Sequence, residues 1–495
     1  MLSHLPDAVG LLISLEGTLV LVLGTVLGII LGAMPGIGST VAVAIVLPFT
    51  LTMGQSAAIL LLLAVYAGSV YGGSISAILI NTPGTPQSAA TCLDGYPMAK
   101  RGEAGLALGW ATVASVIGGL VSAVVLVFAA PQLAAFALNF GPIETFALIL
   151  LGLTCIVSVS TGSVVNGLLA GMIGIFLSTV GGDPIIGEFR FTFETWQLYS
   201  GFNLLAVVIG VFALSEVFMR ASAKPSPVSE LVDFRGVVLP KWEAWKGRLR
   251  NLTKSVLIGN VIGVLPGTGA ATAAFISYAE GKRSSPNKDN FGKGEPDGIV
   301  SSEAANNAVT GGALVPTMAL GIPGDAITAV MLATLTLHGI TPGPRLVDDN
   351  PTLIAAIFLG FFVINLLLLP LGLLLSRVAA PILRMREAYM MTAIVLLCAV
   401  GIYFVRGNPF DLLVMGAAGV VGFVLRRHGV PMAPLVIGMV LGPTLEITLR
   451  QGLILKDGNF FAFFESPIAL GLTLVALVAL LLPLIRAGLA TRRVA

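Results

Sequence analysis

Charge is what this sequence has least of. Only 11% of its 495 residues are Asp, Glu, Lys or Arg, against 56% hydrophobic residues and a mean hydropathy of +0.97. That leaves too little polar surface to cover a water-soluble globule of 51 kDa. Residues 17–93 contain no Asp, Glu, Lys or Arg, a run of 77, where one helical crossing takes about 20. Several membrane spans must therefore follow one another. Aromatics are also scarce, at 7%, while Gly (59) and Pro (28) are plentiful. Long runs of Leu, Val, Ala and Gly with so few aromatics argue against a porin-like barrel of short alternating strands.

Other scarcities exclude function classes. Three His cannot supply a metal cluster alone, and Cys92, Cys155 and Cys398 stand singly in apolar surroundings without metal spacing, so they read as small buried hydrophobes. The 27 basic and 25 acidic residues nearly cancel, with no long basic run, which sets nucleic-acid binding aside. Gly281-Lys282-Arg283 and Gly292-Lys293-Gly294 lack the Ser/Thr of a Walker A motif, so ATP hydrolysis by a P-loop is excluded. HExxH is absent, His338 and His428 have no evident nucleophile beside them, and Asp325 in GIPGD lacks a Tyr-Asp partner. No enzyme signature is left. The first residues, MLSHLPDAVG, lack the features of a cleavable signal, and the amino terminus is expected to be retained.

The fold expected is all-α, a polytopic membrane protein with about 12 transmembrane or broken helices. A polar stretch from Arg220 to Lys254 carries eight basic and three acidic residues. By the positive-inside rule it is cytoplasmic, as are Lys100 with Arg101, Arg426 with Arg427, and Arg486 with Arg492 and Arg493. It divides the chain into a first transmembrane repeat (1–219), a basic connector (220–254) and a second repeat (255–495). Within the connector, KWEAWKGRLR (241–250) is expected to form an amphipathic helix at the headgroups.

The two halves share motifs. GIILGAMPGIGSTVA (28–42) is echoed by GNVIGVLPGTGAATA (259–273), and Gly72-Gly73 with INTPGT (80–85) by Gly311-Gly312 with GIPGD (321–325). Proline followed by glycine breaks a helix, and in hydrocarbon the freed backbone groups are tolerable only against protein or a watery cavity. Four breaks paired across two halves point to the midplane site of a secondary transporter, where half-helix N-termini face anions and freed carbonyls face cations. The candidate substrate-binding residues are Gly36, Gly38, Ser39, Thr40, Asn81, Thr82, Gly84 and Thr85, with Gly267, Thr268, Gly269, Asn306, Asn307 and Gly324. None is Lys or Arg, so an organic anion would be held by backbone N–H and hydroxyl groups. Asp325, Glu303 and Thr328 are the candidates for ion coupling, with Na⁺ near Asp325 or a proton as the ion. Of these, Ser39, Asn81, Thr268 and Asn307 are expected to matter more for affinity than the equally polar Asn203 or Thr473, outside the shared motifs.

The quoted motifs, with YGGSISAILINTPGTPQSAATCLDGYPMAKRGEAG (71–105) and FGKGEPDGIVSSEAANNAVTGGALVPTMALGIPGDAITAVMLATLTLHGITPGPRL (291–346), closely resemble the large membrane subunit of the tripartite tricarboxylate transporter family. The resemblance implies a permease of the bacterial inner membrane that works with a small four-helix membrane subunit and a periplasmic solute-binding protein. It also implies import of carboxylates such as citrate, driven by a Na⁺ or H⁺ gradient without ATP or another cofactor. Position 325 is Asp, where small hydroxyl residues are usual in the family. Halves related by inverted repeats are expected by analogy. The competing reading is a passive channel or scaffold subunit whose breaks serve packing alone.

Overall fold

The computed structural model describes residues 2–159, 163–223, 232, 234, 236–383 and 387–491. The connector residues Lys224, Glu230, Asp233 and Arg235, and Arg492 with Arg493 at the carboxyl end, lie outside the described residues. In chain order the first half holds α1 (Leu5–Ile13), α2 (Leu15–Ala33), α3 (Gly38–Thr50), α4 (Gln55–Ile80), α5 (Ala89–Met98), α6 (Ala104–Ala137), α7 (Pro142–Val159), α8 (Val164–Ser178), α9 (Leu204–Ile209) and α10 (Ser215–Ser222). A π turn over Gly210–Leu214 joins α9 to α10. After α11 (Trp242–Trp245) come α12 (Leu249–Val264), α13 (Gly269–Ser284), α14 (Pro296–Leu320), α15 (Ala326–Leu337), α16 (Leu346–Asp349) and α17 (Pro351–Ile382). The chain closes with α18 (Glu387–Arg406), α19 (Pro409–Arg427), α20 (Met432–Leu455) and α21 (Pro467–Thr491).

Among the described residues eight helices are long and apolar enough to cross a membrane, and five shorter apolar ones accompany them. The Pro-Gly runs precede two of the shorter ones, Gly38–Thr50 and Ala326–Leu337. They interrupt apolar sequence at 34–37, 81–85, 265–268 and 321–325, and each interruption is a gap between helices.

Glycine decides how the central helices approach. A Cβ at Gly24, Gly28 or Gly32 of α2 would fall 2.7, 2.6 and 2.2 Å from atoms of Ala64, Val65 and Ser69 of α4. The two helices thus run parallel with their backbones nearly touching, the small-residue packing of membrane interiors. Likewise Gly259 and Gly263 of α12 sit on Ala305 and Val309 of α14, and Gly118 of α6 on Ala304, with Ser122 against Gly311. So α12 and α6 both run parallel to α14. All the residues of α4 from Ala57 to Ile80 are buried, although most of them would suit lipid.

Outside the helices a hairpin pairs Gly181 with Arg190 and Gly182 with Phe189. It is fastened to α20 by charge, with Arg190 on Glu446 at 2.6 Å and Arg450 on Asp183 at 2.8 Å. Backbone N–H groups of Ile186 and Ile185, and then the Arg450 side chain, lower the Asp183 carboxyl to about 2.

The expected amphipathic helix over 241–250 is not continuous. α11 has four residues, Trp242 is exposed, and Trp245 is buried with its ring centroid 4.6 Å from that of Trp110. Arg248 lies over the Trp110 ring at 5.2 Å. The second tryptophan is therefore a plug into the helix bundle, since an indole finds more contact there than at a headgroup. Asn203 is also not a neutral position. It caps α9 by accepting from the Leu205 N–H and donates to buried Asp411 at 2.7 Å.

Candidate functional site

The two breaks of the first half are tied to one another. Gly36 and Gly38 take φ of +73° and +70°, values open to glycine, so the chain turns sharply from α2 into α3. α4 ends in left-handed Asn81, and Pro83-Gly84 folds back so that the Gly38 N–H donates to the Gly84 carbonyl at 3.1 Å. Gly84 is pressed against α2, where a Cβ would lie 1.9 Å from the Gly32 carbonyl oxygen. Comparable geometry appears in the second half. Gly267 and Gly269 take φ of +84° and +70°, α14 ends in left-handed Gly321, and the Gly267 N–H donates to the Gly324 carbonyl at 2.7 Å. The donor there is the first glycine of the turn, not the second.

The entry into the next helix also recurs. Thr85 and Ser88 share a hydroxyl hydrogen bond of 2.9 Å, and at the matching positions Thr328 donates its hydroxyl to Asp325 at 2.9 Å. Asp325 caps α15 with a full capping box, accepting from the N–H groups of Ile327 and Thr328, and its second oxygen takes the Tyr66 hydroxyl of α4 at 2.8 Å. The carboxylate thus has four donors and no cation among its hydrogen-bond partners.

Two cavities open at these turns. One, of about 410 Å³, is lined by Gly36–Val41, Pro83–Gln87, Phe212, Glu216 and Arg426. The other, of about 490 Å³, is lined by Gly267–Thr272, Asp325–Ile327, Gly429–Ala433 and again Thr40, Pro86, Gln87 and Arg426. The shared wall is pinned where Gln87 donates to the Ser39 hydroxyl at 3.0 Å. Each cavity is of a size for a small organic molecule, with backbone at helix starts, hydroxyls and one guanidinium facing it.

The structure sorts the predicted residues. Gly36, Gly38, Ser39, Thr40, Gly84 and Thr85 line the first cavity, and Gly267, Thr268, Gly269 and Asp325 the second. Thr268 spends its hydroxyl on the carbonyls of Ile262 and Leu265. Gly324 is buried behind the turn and Thr328 within the cap. Asn81 and Thr82 are exposed and line neither cavity. Asn306 and Asn307 are buried in α14, also away from both cavity walls, and the Asn306 amide has no hydrogen-bond partner. Glu303 is fully buried between α14, α5 and α6, accepting from the hydroxyls of Thr91 at 2.5 Å and Ser115 at 3.0 Å.

What sequence reasoning missed is the cation. Arg426 lines both cavities, and its Nη1 donates to Glu216 at 2.6 Å. Its place at the end of an apolar helix beside Arg427 reads as a topology signal, and nothing in the repeat motifs points to it. Among the described residues no group of three or more His, Cys, Asp and Glu could hold a metal ion. A cation at Asp325 would therefore take its other ligands from hydroxyl and backbone oxygens.

Helices broken in pairs around water-accessible cavities, inside a polytopic bundle, define a membrane permease of the secondary-transport class. Residues 18–437 match the tripartite tricarboxylate transporter TctA family, and the chain belongs to that family, which comprises transporters and not enzymes. It is 39% identical over 466 residues to an uncharacterised 52.8 kDa protein of the TAR-I ttuC' 3' region of Agrobacterium vitis, covering 94% of this chain and 93% of that protein. It is also 39% identical over 231 residues to a protein of the TAR-II ttuC' 3' region of the same organism, covering 46% of this chain and 96% of that one. No solved structure matches. Family and topology are those of a multi-pass protein of the bacterial inner membrane.

Proposed function

We propose that the chain is the permease of a binding-protein-dependent system that imports tricarboxylates or related carboxylates on a Na⁺ or H⁺ gradient. Its partners would be a small four-helix membrane subunit and a periplasmic solute-binding protein. The observation that carries this reading is the pairing of the breaks, with Gly38 tied to Gly84, Gly267 tied to Gly324, and a cavity at each tie. Backbone N–H groups at the starts of α3, α13 and α15 suit carboxylates, and Asp325 or Glu303 is the carboxylate through which the ion would act.

The two halves would be inverted repeats, a reading that rests on helix directions. α4 and α6 run antiparallel, since the Tyr71 hydroxyl meets Thr112 at 2.8 Å while Leu79 and Gly105 both abut the connector, at Val232 and at Gly236–Val238. α14, the counterpart of α4, is parallel to α6 and hence opposed to α4. α17 is parallel to α4, with Gly360 on Leu60 and Gly372 on Tyr71. An inversion brings hairpin α2–α3 and hairpin α12–α13 to one site from opposite sides of the membrane.

The test is uptake of labelled citrate into proteoliposomes holding the chain with its two partners, with and without an inward Na⁺ or H⁺ gradient. Gradient-dependent accumulation requiring the binding protein is the expected result. Equilibration without accumulation would replace the permease by a passive channel, and uptake of a different carboxylate would change the substrate alone.

A further inference from the structure

We propose that Arg426 is the anchor for a carboxylate of the transported substrate, and that Glu216 is the internal carboxylate holding that anchor when the site is empty. This rests on the carboxylate reading above and adds to it the group that recognises the charge. Among the described residues Arg426 is the one Lys or Arg lining either cavity, and it lines both. A guanidinium on a wall that otherwise offers hydroxyls, backbone N–H groups and the carboxylates of Glu216 and Asp325 suits recognition of a substrate carboxylate, because its planar fork can donate two parallel bonds to one carboxylate.

The hydrogen bonding leaves room for that exchange. Only Nη1 of Arg426 is engaged, on one oxygen of Glu216. The other Glu216 oxygen accepts from Arg220 Nε at 2.9 Å, and Arg220 Nη1 bonds Glu387 at 2.5 Å. If Arg426 turns to a substrate carboxylate, Glu216 keeps a cation and is not left as an unpaired charge, the arrangement that would oppose release. The cluster also touches the helix break. Arg220 packs on Gly36 so closely that a Cβ there would lie 1.0 Å from Nη2. Occupation of Arg426 is thus reported through Glu216 and Arg220 to the tip of the α2–α3 hairpin.

A purely structural ion pair would make the opposite prediction about its two members. If the pair only fastens α19 to α10, Arg426→Gln and Glu216→Gln break the same bond and impair the protein alike. If Arg426 is the anchor and Glu216 its competitor, the substitutions act in opposite directions. The experiment measures the concentration dependence of gradient-driven carboxylate uptake in proteoliposomes with both partner subunits, alongside the shift in melting temperature caused by citrate in the purified chain.

Arg426→Gln is expected to raise KM by about tenfold to a hundredfold, the worth of a charge-assisted bond, and to abolish the citrate-induced melting shift. Arg426→Lys should recover part of both, and Glu216→Gln should lower KM about two- to fivefold by removing a competing acceptor. An unchanged KM in Arg426→Gln, or a rise in KM in Glu216→Gln matching that in Arg426→Gln, overturns the inference while leaving the permease reading intact. Absence of any carboxylate uptake by the unaltered chain with its partners would instead overturn the carboxylate reading, and this inference with it. Should Arg426→Gln fail to fold, the Lys and Glu216→Gln variants carry the same test.

Discussion

Replacing Gly84 by alanine would put a methyl group 1.9 Å from the Gly32 carbonyl oxygen, about 1.6 Å inside an ordinary contact distance of about 3.5 Å. The obstacle is backbone of α2, which is itself held flat on α4 through Gly28 and Gly32, so no side chain can swing aside. Overpacking of this kind costs about 1–3 kcal/mol. The turn must shift, and the half-buried Gly38 N–H then exchanges the Gly84 carbonyl for water, which adds about 0.5–1.5 kcal/mol. Together these put the destabilisation of Gly84→Ala at about 1.5–4.5 kcal/mol. Gly269 provides the contrast, with nothing within 4 Å of its Cβ position and only a left-handed φ of +70° to oppose a side chain. Gly269→Ala should cost about 1–2 kcal/mol, and Gly269→Asn less because Asn tolerates that conformation. Unfolding free energies in mixed detergent micelles, with uptake assayed on the same preparations, measure the order. A Gly84→Ala variant no less stable than Gly269→Ala would refute the claim that the breaks are held by backbone contact.

Three further outcomes follow from the charged groups. The Asp183 carboxyl is lowered to about 2 in the folded hairpin, so its contribution is complete above the ordinary value near 3.8 and is lost as pH falls through about 2. At pH 4 pepsin should therefore cut Asp183→Asn at the Phe189–Phe193 segment and spare the unaltered chain; equal cutting of both at that pH would reject the fastening role. Asp325→Asn should keep the α15 cap, because Asn caps about as well as Asp, and change stability by less than about 1 kcal/mol; if accumulation also survives, the ion does not act through this carboxylate. Glu303→Gln removes the charge and keeps one oxygen as acceptor for Thr91 or Ser115, its NH2 donating to the other hydroxyl. It should abolish accumulation while leaving citrate exchange, and unchanged accumulation would rule out Glu303 as the coupling group.

The helical membrane fold and the four interruptions were legible because both are local. Hydropathy reports burial in lipid whatever the topology, and Pro-Gly breaks a helix wherever it occurs. The Pro-Gly pairs ending at Gly36, Gly84 and Gly267 each fall in a gap between helices for that reason. The site's composition was less legible because it is assembled across the chain. Arg426 and Glu216 are 210 residues apart and meet only after α19 packs on the π turn and α10. Asn81 and Thr82 show the converse case. They sit inside a break motif, but the turn needs Asn81 as its left-handed helix end and leaves both facing outward. Proximity to a motif placed them near the site, and only backbone direction decides which way a side chain leaves it.

Because Gly38 is bonded to Gly84 and Gly267 to Gly324, the four interruptions are not four independent hinges. A displacement of the α2–α3 tip drags the Pro83-Gly84 turn with it, and the α12–α13 tip drags Pro323-Gly324. Each pair of interruptions is thus one unit, two pieces of chain tied tip to tip by a backbone hydrogen bond. The Gln87 to Ser39 contact lies within the first of these units, so the boundary between the two runs beyond it, between Pro86-Gln87 and the Gly267–Thr272 turn, where the second cavity lies.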